Sequence, residues 1–233
     1  MATILLTGAS RGIGAAARSA LKQSGHHVIG QSTGGGDGLI AADFAQPRSA
    51  DALWAEALNL AGGRIDVLVN NAGVFEAADI ADADAFAATW ARNHAINLQS
   101  AADLCRHAVL HFQQYGGGRI INVASRAGHR GDSPMHWHYA AAKGGMLAMT
   151  KSIARAYAAQ NILAFAITPG FTMTGMAEEY LASRGGDKLL ADIPLGRVAM
   201  PEEVAEMIRW LSCDAPASMT GATLDINGAS YVR

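Results

Sequence analysis

Tyr139 and Lys143 stand four residues apart in the run Tyr139-Ala140-Ala141-Ala142-Lys143. Three successive alanines favour helix, and no β-branched residue or glycine interrupts them. At that spacing the phenol and the ammonium share one helix face, one turn apart. A free tyrosine titrates near pH ~10, too high for a proton shuttle at neutral pH. A neighbouring positive charge favours the phenolate and lowers that value, so a tuned Tyr139 could give or take a proton at a substrate oxygen. The same spacing also occurs on solvated helices with no chemistry, and the surrounding chain decides between the two.

A second group lies near the N-terminus, in Thr7-Gly8-Ala9-Ser10-Arg11-Gly12-Ile13-Gly14. A short apolar run, Thr3-Ile4-Leu5-Leu6, precedes it. A helical pattern over residues 15–21 follows, with Gly25 as its stop. Strand, glycine-rich turn and helix form the context of a dinucleotide-binding fingerprint. Glycines let the backbone approach a pyrophosphate, which rests on the helix N-terminus. The spacing is G-x-x-x-G-x-G, not the commoner G-x-G-x-x-G, and on its own it also fits an ordinary strand–helix turn.

The elements that must position these groups follow in order. His27-Val28-Ile29-Gly30 is read as a second strand. The segment 31–38 contains Gly34-Gly35-Gly36 and is too short and glycine-rich for a crossover helix. Leu39-Ile40-Ala41-Ala42 is a third strand closed by Asp43, and 47–60 is a helix. Ile65-Asp66-Val67-Leu68-Val69 is a fourth strand ending in Asn70-Asn71-Ala72-Gly73. A long helix over 83–115, broken near Asn97, stops at Gly116-Gly117-Gly118. Strands over 119–123, 162–167 and 223–226 and helices over 139–159 and 201–211 complete the pattern, with a substrate flap over 171–195. Strands alternating with helices imply a parallel sheet covered on both faces. Ligands of such sheets bind beyond the carboxyl ends of the strands, where Gly8, Gly14, Asp43, Asn71, Ser125, Pro169 and Gly170 fall.

The 233 residues suffice for a single α/β domain without internal repeat or linker. Half are apolar and 16% are charged, which excludes a disordered chain. A net charge of −2 without a basic block argues against nucleic acid as a partner. Cys105 and Cys213 lack metal or redox spacing and read as reduced thiols. No apolar run reaches membrane-spanning length and the N-terminus lacks a signal pattern, so a cytoplasmic protein is expected.

Together these motifs resemble the short-chain dehydrogenase/reductase family over nearly the whole chain. The resemblance rests on the turn from Thr7 to Gly14, Asn70-Asn71-Ala72-Gly73, Ile96-Asn97-Leu98, Ser125, the Tyr139/Lys143 pair, Pro169-Gly170, Pro194-Leu195-Gly196-Arg197 and Thr220-Gly221. It implies one α/β, doubly wound Rossmann-type domain of about seven parallel strands, spanning residues 1–233, and a catalytic tetrad of Asn97, Ser125, Tyr139 and Lys143. In that family the tyrosine is the general acid/base, and the serine holds the same substrate oxygen. The lysine binds the nicotinamide ribose and lowers the tyrosine pKa. The asparagine kinks its helix and anchors a water relay. The resemblance also implies cofactor contacts from Gly8, Ser10, Gly12, Ile13 and Gly14, from Asp43 to the adenine amine, from Asn71, Ala72 and Gly73 beside the adenosine ribose, and from Pro169, Gly170, Thr172 and Thr174 near the nicotinamide. A homotetramer or homodimer built on the long helices is expected. The Ser125–Tyr139 gap is one residue longer than usual in the family, and Asn227-Gly228 stands where Gly-Gly is common.

Binders of unphosphorylated cofactor usually carry an acid at the end of the second strand. Ser32 and Thr33 stand there instead, and both can donate to a 2′-phosphate. Arg11 could reach the same group, so NADP(H) is expected. NAD(H) is the alternative, with Asp37 as the acid that would swing in. Arg126, His136, Trp137 and Phe171 are candidate walls of the substrate pocket. Trp137 reads equally well as a subunit contact, and Arg126 as a solvated side chain. His136 and His138 lack a third ligand, so no metal is expected. The leading reading is a carbonyl reductase or alcohol dehydrogenase. A non-redox offshoot of the family, or a nucleotide-sensing binding protein, would not need both the glycine turn and Lys143.

Overall fold

The computed structural model describes residues 1–174 and 186–233. Seven parallel strands form one sheet in the order β3-β2-β1-β4-β5-β6-β7. They are β1 (Thr3–Leu6), β2 (His27–Ser32), β3 (Leu39–Ala41), β4 (Val67–Asn70), β5 (Gly118–Val123), β6 (Ile162–Pro169) and β7 (Thr223–Ile226). The helices are α1 (Gly12–Gln23), α2 (Ser49–Leu60), α3 (Ala83–His94), α4 (Ser100–Tyr115), α5 (Ala127–Arg130), α6 (Trp137–Tyr157), α7 (Gly186–Ala191) and α8 (Pro201–Cys213). The chain therefore adopts the doubly wound, Rossmann-like fold.

Successive strand residues point to opposite faces, and both faces are covered. Ile4, Leu6, Val67, Val69 and Phe165 pack with α1 and α8 through Leu21, Ile208 and Leu211. Leu5, Leu68 and Ile120 pack on the other side with α2 and α4 through Leu53, Trp54 and Phe112. Near-continuous apolar strands are what a sheet buried on both sides requires. Among the described residues no helix is long and apolar enough to cross a membrane.

The strand order reverses at β1, so the loops after β1 and β4 open a crevice there. The segment after β2 forms no helix, as its glycines predict. Gly35, Gly36 and Gly38 have positive φ, and Asp37 joins them at φ 52°. The long helix is interrupted at Asn97: α3 passes into a π-helical turn, Ala95–Gln99, before α4. Such turns insert a residue and re-aim the side chains they carry. Residues 47–48 lie outside α2 because Arg48 takes a left-handed conformation. The four-residue α5 is too short to show in periodicity. Of the flap expected over 171–195, residues 175–185 lie outside the described residues.

Candidate active site

The glycine turn after β1 is built so that nothing larger fits. A Cβ at Gly14 would lie 1.9 Å from the Gly8 carbonyl oxygen, and one at Gly8 would lie 2.8 Å from the Ala72 Cα. Gly8 and Gly12 also have positive φ, at 65° and 52°. The Asn71 side-chain amide donates to the carbonyls of Thr7 (3.0 Å) and Gly8 (3.2 Å). The Thr7 hydroxyl accepts from the backbone N–H groups of Asn71 and Ala72, both at 3.0 Å. The turn is thus stapled to the end of β4. Sequence reasoning missed Gln31, whose Oε1 accepts from Gly8 N (2.8 Å) while its Nε2 donates to Ala42 O (2.7 Å). Its partners lie in two other segments, so spacing along the chain gave no signal for it.

Helix α1 begins at this turn with no acidic residue in its first turn and no side-chain cap. An uncapped helix N-terminus with its dipole is suited to an anion. Ser10 and Arg11 are exposed beside it and Ile13 is half-buried. Thr174 lies against the turn, since a Cβ at Gly12 would meet its Cγ2 at 2.9 Å. Thr172 is buried and donates to Gly170 O, and Pro169 O accepts the Arg126 N–H. Ser32 is buried at the end of β2 and donates to Gly35 O, while Thr33 is exposed. The Asp43 carboxylate accepts the Ala45 N–H at 3.0 Å. A close-approach cradle, an uncapped helix N-terminus and a neighbouring cation together suit a dinucleotide diphosphate.

Ser125, Tyr139, Lys143 and Asn97 converge beside this cradle. Ser125, just beyond β5, accepts the Ala127 N–H at 3.1 Å, and its hydroxyl lies close enough to the Tyr139 phenol to draw the phenol's pKa down. Lys143 is buried and donates to Val123 O at 2.8 Å. Its Nζ lies 5.8 Å from the centroid of the Tyr139 ring. A Cβ at Gly73 would come within 2.8 Å of Asn97 Oδ1 and 3.6 Å of Lys143 Nζ. The Asn97 amide accepts from Val74 N and donates to Val74 O, each at 2.9 Å.

One expectation needs correcting. Spacing alone predicts that Lys143 lowers the Tyr139 pKa. In this arrangement burial dominates both groups: it pushes the Tyr139 phenol up to about 12 and the Lys143 ammonium down to about 8. The Ser125 hydroxyl pulls the phenol back part of the way, and the Asp132 carboxylate adds to the rise.

The candidate pocket residues divide. His136 stacks on Phe75 with centroids 3.8 Å apart, and Phe75 meets the Tyr139 ring edge-on at 4.8 Å. Phe75, which sequence reasoning did not single out, therefore packs directly on the Tyr139 ring and is covered in turn by His136. Trp137 is half-exposed and meets Phe86 edge-on. Arg126 and Phe171 face each other, with the guanidinium 5.2 Å from the ring centroid. Arg126 and Arg130 share the Asp192 carboxylate at 3.4 and 2.9 Å. Arg126 is thus buried and paired, not solvated.

Comparison with known proteins agrees with this geometry. A family model described as enoyl-(acyl carrier protein) reductase matches residues 8–229. The chain is 36% identical to a 3-oxoacyl-[acyl-carrier-protein] reductase of Synechocystis sp., covering 96% of this chain and 94% of the relative. It is equally identical, with the same coverage, to a cis-4-hydroxycyclohexanecarboxylate dehydrogenase of Sinomonas cyclohexanicum. A crystal structure from Beutenbergia cavernae, assigned as an NAD(P)-dependent gluconate 5-dehydrogenase with NADP bound at low occupancy, superposes with a TM-score of 0.88. It is 29% identical, covering 98% of this chain and 96% of that one. The chain belongs to the short-chain dehydrogenase/reductase family. It is an NAD(P)-dependent oxidoreductase of that family.

Proposed function

We propose that this enzyme interconverts a ketone or aldehyde with the corresponding secondary or primary alcohol, prefers NADP(H), and uses Tyr139 as its general acid/base. The carrying observation is the Tyr139 ring 5.8 Å from the buried Lys143 ammonium with Ser125 at the phenol, next to a glycine turn with no acid in its helix. In the reducing direction the Tyr139 phenol gives its proton to the substrate oxygen, and the Ser125 hydroxyl donates a hydrogen bond to that same oxygen. When bound, the nicotinamide would supply or accept the hydride. Lys143 uses one protein acceptor among the described residues, Val123 O; its remaining hydrogens hold the ribose hydroxyls. That contact keeps a costly buried ammonium charged, and the charge then favours phenolate. With its amide engaged by Val74, Asn97 would anchor a water relay to Lys143 through its backbone.

The cofactor assignments follow the same reasoning. Gly8, Gly12, Gly14 and the Ile13 N–H cradle the pyrophosphate. Ser10, Arg11 and Thr33 receive the 2′-phosphate, and Ser32 joins them by turning its hydroxyl from Gly35 O. Asp43 takes the adenine amine, Asn71, Ala72 and Gly73 line the adenosine ribose, and Pro169, Gly170, Thr172 and Thr174 border the nicotinamide. The relatives are named for reducing or dehydrogenating their substrates, which supports redox chemistry over a non-redox role. The half-exposed Trp90 and Trp137 and exposed Leu110 on α3, α6 and α4 support assembly as a dimer or tetramer. The test is turnover of a panel of ketones and alcohols with each cofactor. At least about tenfold higher kcat/KM with NADPH is expected, the scale of one lost charge-assisted hydrogen bond. A clear preference for NADH would overturn the cofactor assignment and favour an NAD(H)-dependent alcohol or sugar dehydrogenase.

A further inference from the structure

Asn93 lies in the last turn of α3, one turn before Asn97, and is fully buried. Its Oδ1 accepts a hydrogen bond from Asn97 Nδ2 at 2.8 Å. Its own Nδ2 has no partner among the described residues. Leaving an amide donor unbonded in a dry interior is unfavourable, and an apolar residue of similar size would avoid it. The Oδ1 contact therefore needs a purpose.

We infer that Asn93 is a positioning residue for the active site, acting through the Asn97 amide on the segment that carries Phe75. This rests on the proposed tetrad. The Asn97 amide has two hydrogens and one oxygen. Val74 O takes one hydrogen, and Asn93 Oδ1 takes the other. With both hydrogens committed, Oδ1 can only face Val74 N. Without Asn93 the amide keeps no acceptor on that side, and the orientation that clamps Val74 is no longer imposed. The clamp holds the chain between Gly73, which closes on Lys143, and Phe75, whose ring meets Tyr139 edge-on. On the far side His138 fixes the same segment through Glu76 O at 2.8 Å. A buried pair on one helix thus sets the distance between the Phe75 wall and the phenol.

The test uses the full chain and three variants: Asn93→Leu, Asn93→Asp and Asn97→Ala. Amide exchange followed by NMR reads the clamp directly. Asn93→Leu is expected to speed exchange at Val74 at least about tenfold while the β4 amides of 67–70 keep their protection, as expected for loss of one local contact. Asn93→Asp, which keeps the acceptor, restores slow exchange at Val74. In turnover with NADPH and whichever ketone the wild type reduces, kcat falls about tenfold in Asn93→Leu, as for other residues that act by orienting a ligand-bearing group. The NADPH Kd, read by tryptophan fluorescence, stays unchanged. Adding Asn93→Leu to Asn97→Ala produces no further loss of kcat. Unchanged Val74 exchange in Asn93→Leu overturns the inference, as does an additive effect in the double variant. A wild type that reduces no ketone would refute the proposed function instead, and the exchange result would still judge the clamp.

Discussion

The Lys143 ammonium stands 5.8 Å from the centroid of the Tyr139 ring, and its protein hydrogen bond runs to the Val123 carbonyl, not to the phenol. The lysine is therefore tied to β5, while the Tyr139 phenol stands beside Ser125. Burial acts on both groups in the same way, by favouring their neutral forms.

This predicts a characteristic pH dependence of stability. The folded Lys143 pKa, about 8, lies below its ordinary value, so the unfolded chain binds more protons between about 8 and about 10.5. Stability from this group rises with pH across that window. The Tyr139 value, about 12, lies above the ordinary one, so stability from the phenol falls as pH rises from about 10 towards about 12. In the cofactor-free enzyme, Lys143→Met should raise Tm at pH 7, where the burial cost is on the order of 3 kcal/mol. The advantage should shrink to below about 1 kcal/mol by about pH 10 and vanish above about 10.5. Thermal melts from pH 7 to 10 check it, and a Lys143→Met protein less stable at pH 7 would contradict it.

Gly14 and Gly34 should respond oppositely to alanine. At Gly14 a Cβ collides with backbone 1.9 Å away, whereas at Gly34 nothing lies within 4 Å and φ is ordinary. Gly14→Ala is expected to cost about 1–3 kcal/mol, the scale of overpacking, and to abolish NADPH binding. Gly34→Ala should be neutral or slightly stabilising through the unfolded chain. Chemical denaturation and fluorescence titration distinguish the two.

Gln31 ties the glycine turn to the strand ends. Gln31→Leu leaves Gly8 N and Ala42 O without that partner, at a cost of about 1–3 kcal/mol for buried groups. The expected result is a lower denaturation midpoint together with weaker binding of both NADPH and NADH. Unchanged cofactor affinity would remove Gln31 from the site.

Arg11 should separate the two cofactors. Arg11→Ala is expected to raise the NADPH KM about tenfold or more, as for loss of a hydrogen bond to a charged group, with the NADH KM nearly unchanged. Steady-state kinetics with both cofactors measure this, and equal losses would assign Arg11 to the pyrophosphate instead.

Much of this architecture was legible in the residues. Apolar strands and the turn from Gly8 to Gly14 marked the crevice, the glycines after β2 announced a missing helix, and Asn97 marked the break between α3 and α4. The spacing of Tyr139 and Lys143 placed them on one face. What spacing could not supply was the depth of burial, so the direction of the Tyr139 pKa came out opposite to expectation. Gln31, Phe75 and Asn93 escaped notice because their partners lie in segments distant in sequence, or, for Asn93, because burial alone distinguishes it from any polar helix residue. Arg126 looked like a solvated charge until Asp192 and Phe171 were found against it.

The central claim is that the Tyr139 hydroxyl moves the proton at the substrate oxygen. Tyr139→Phe removes that hydroxyl and keeps the ring that packs on Phe75. Followed at the reduced-nicotinamide absorbance with a ketone the wild type reduces, kcat should fall by about 10²–10⁴-fold while the NADPH Kd stays within about twofold, the ordinary spread of such contributions. A Tyr139→Phe enzyme that retains wild-type kcat would contradict the account.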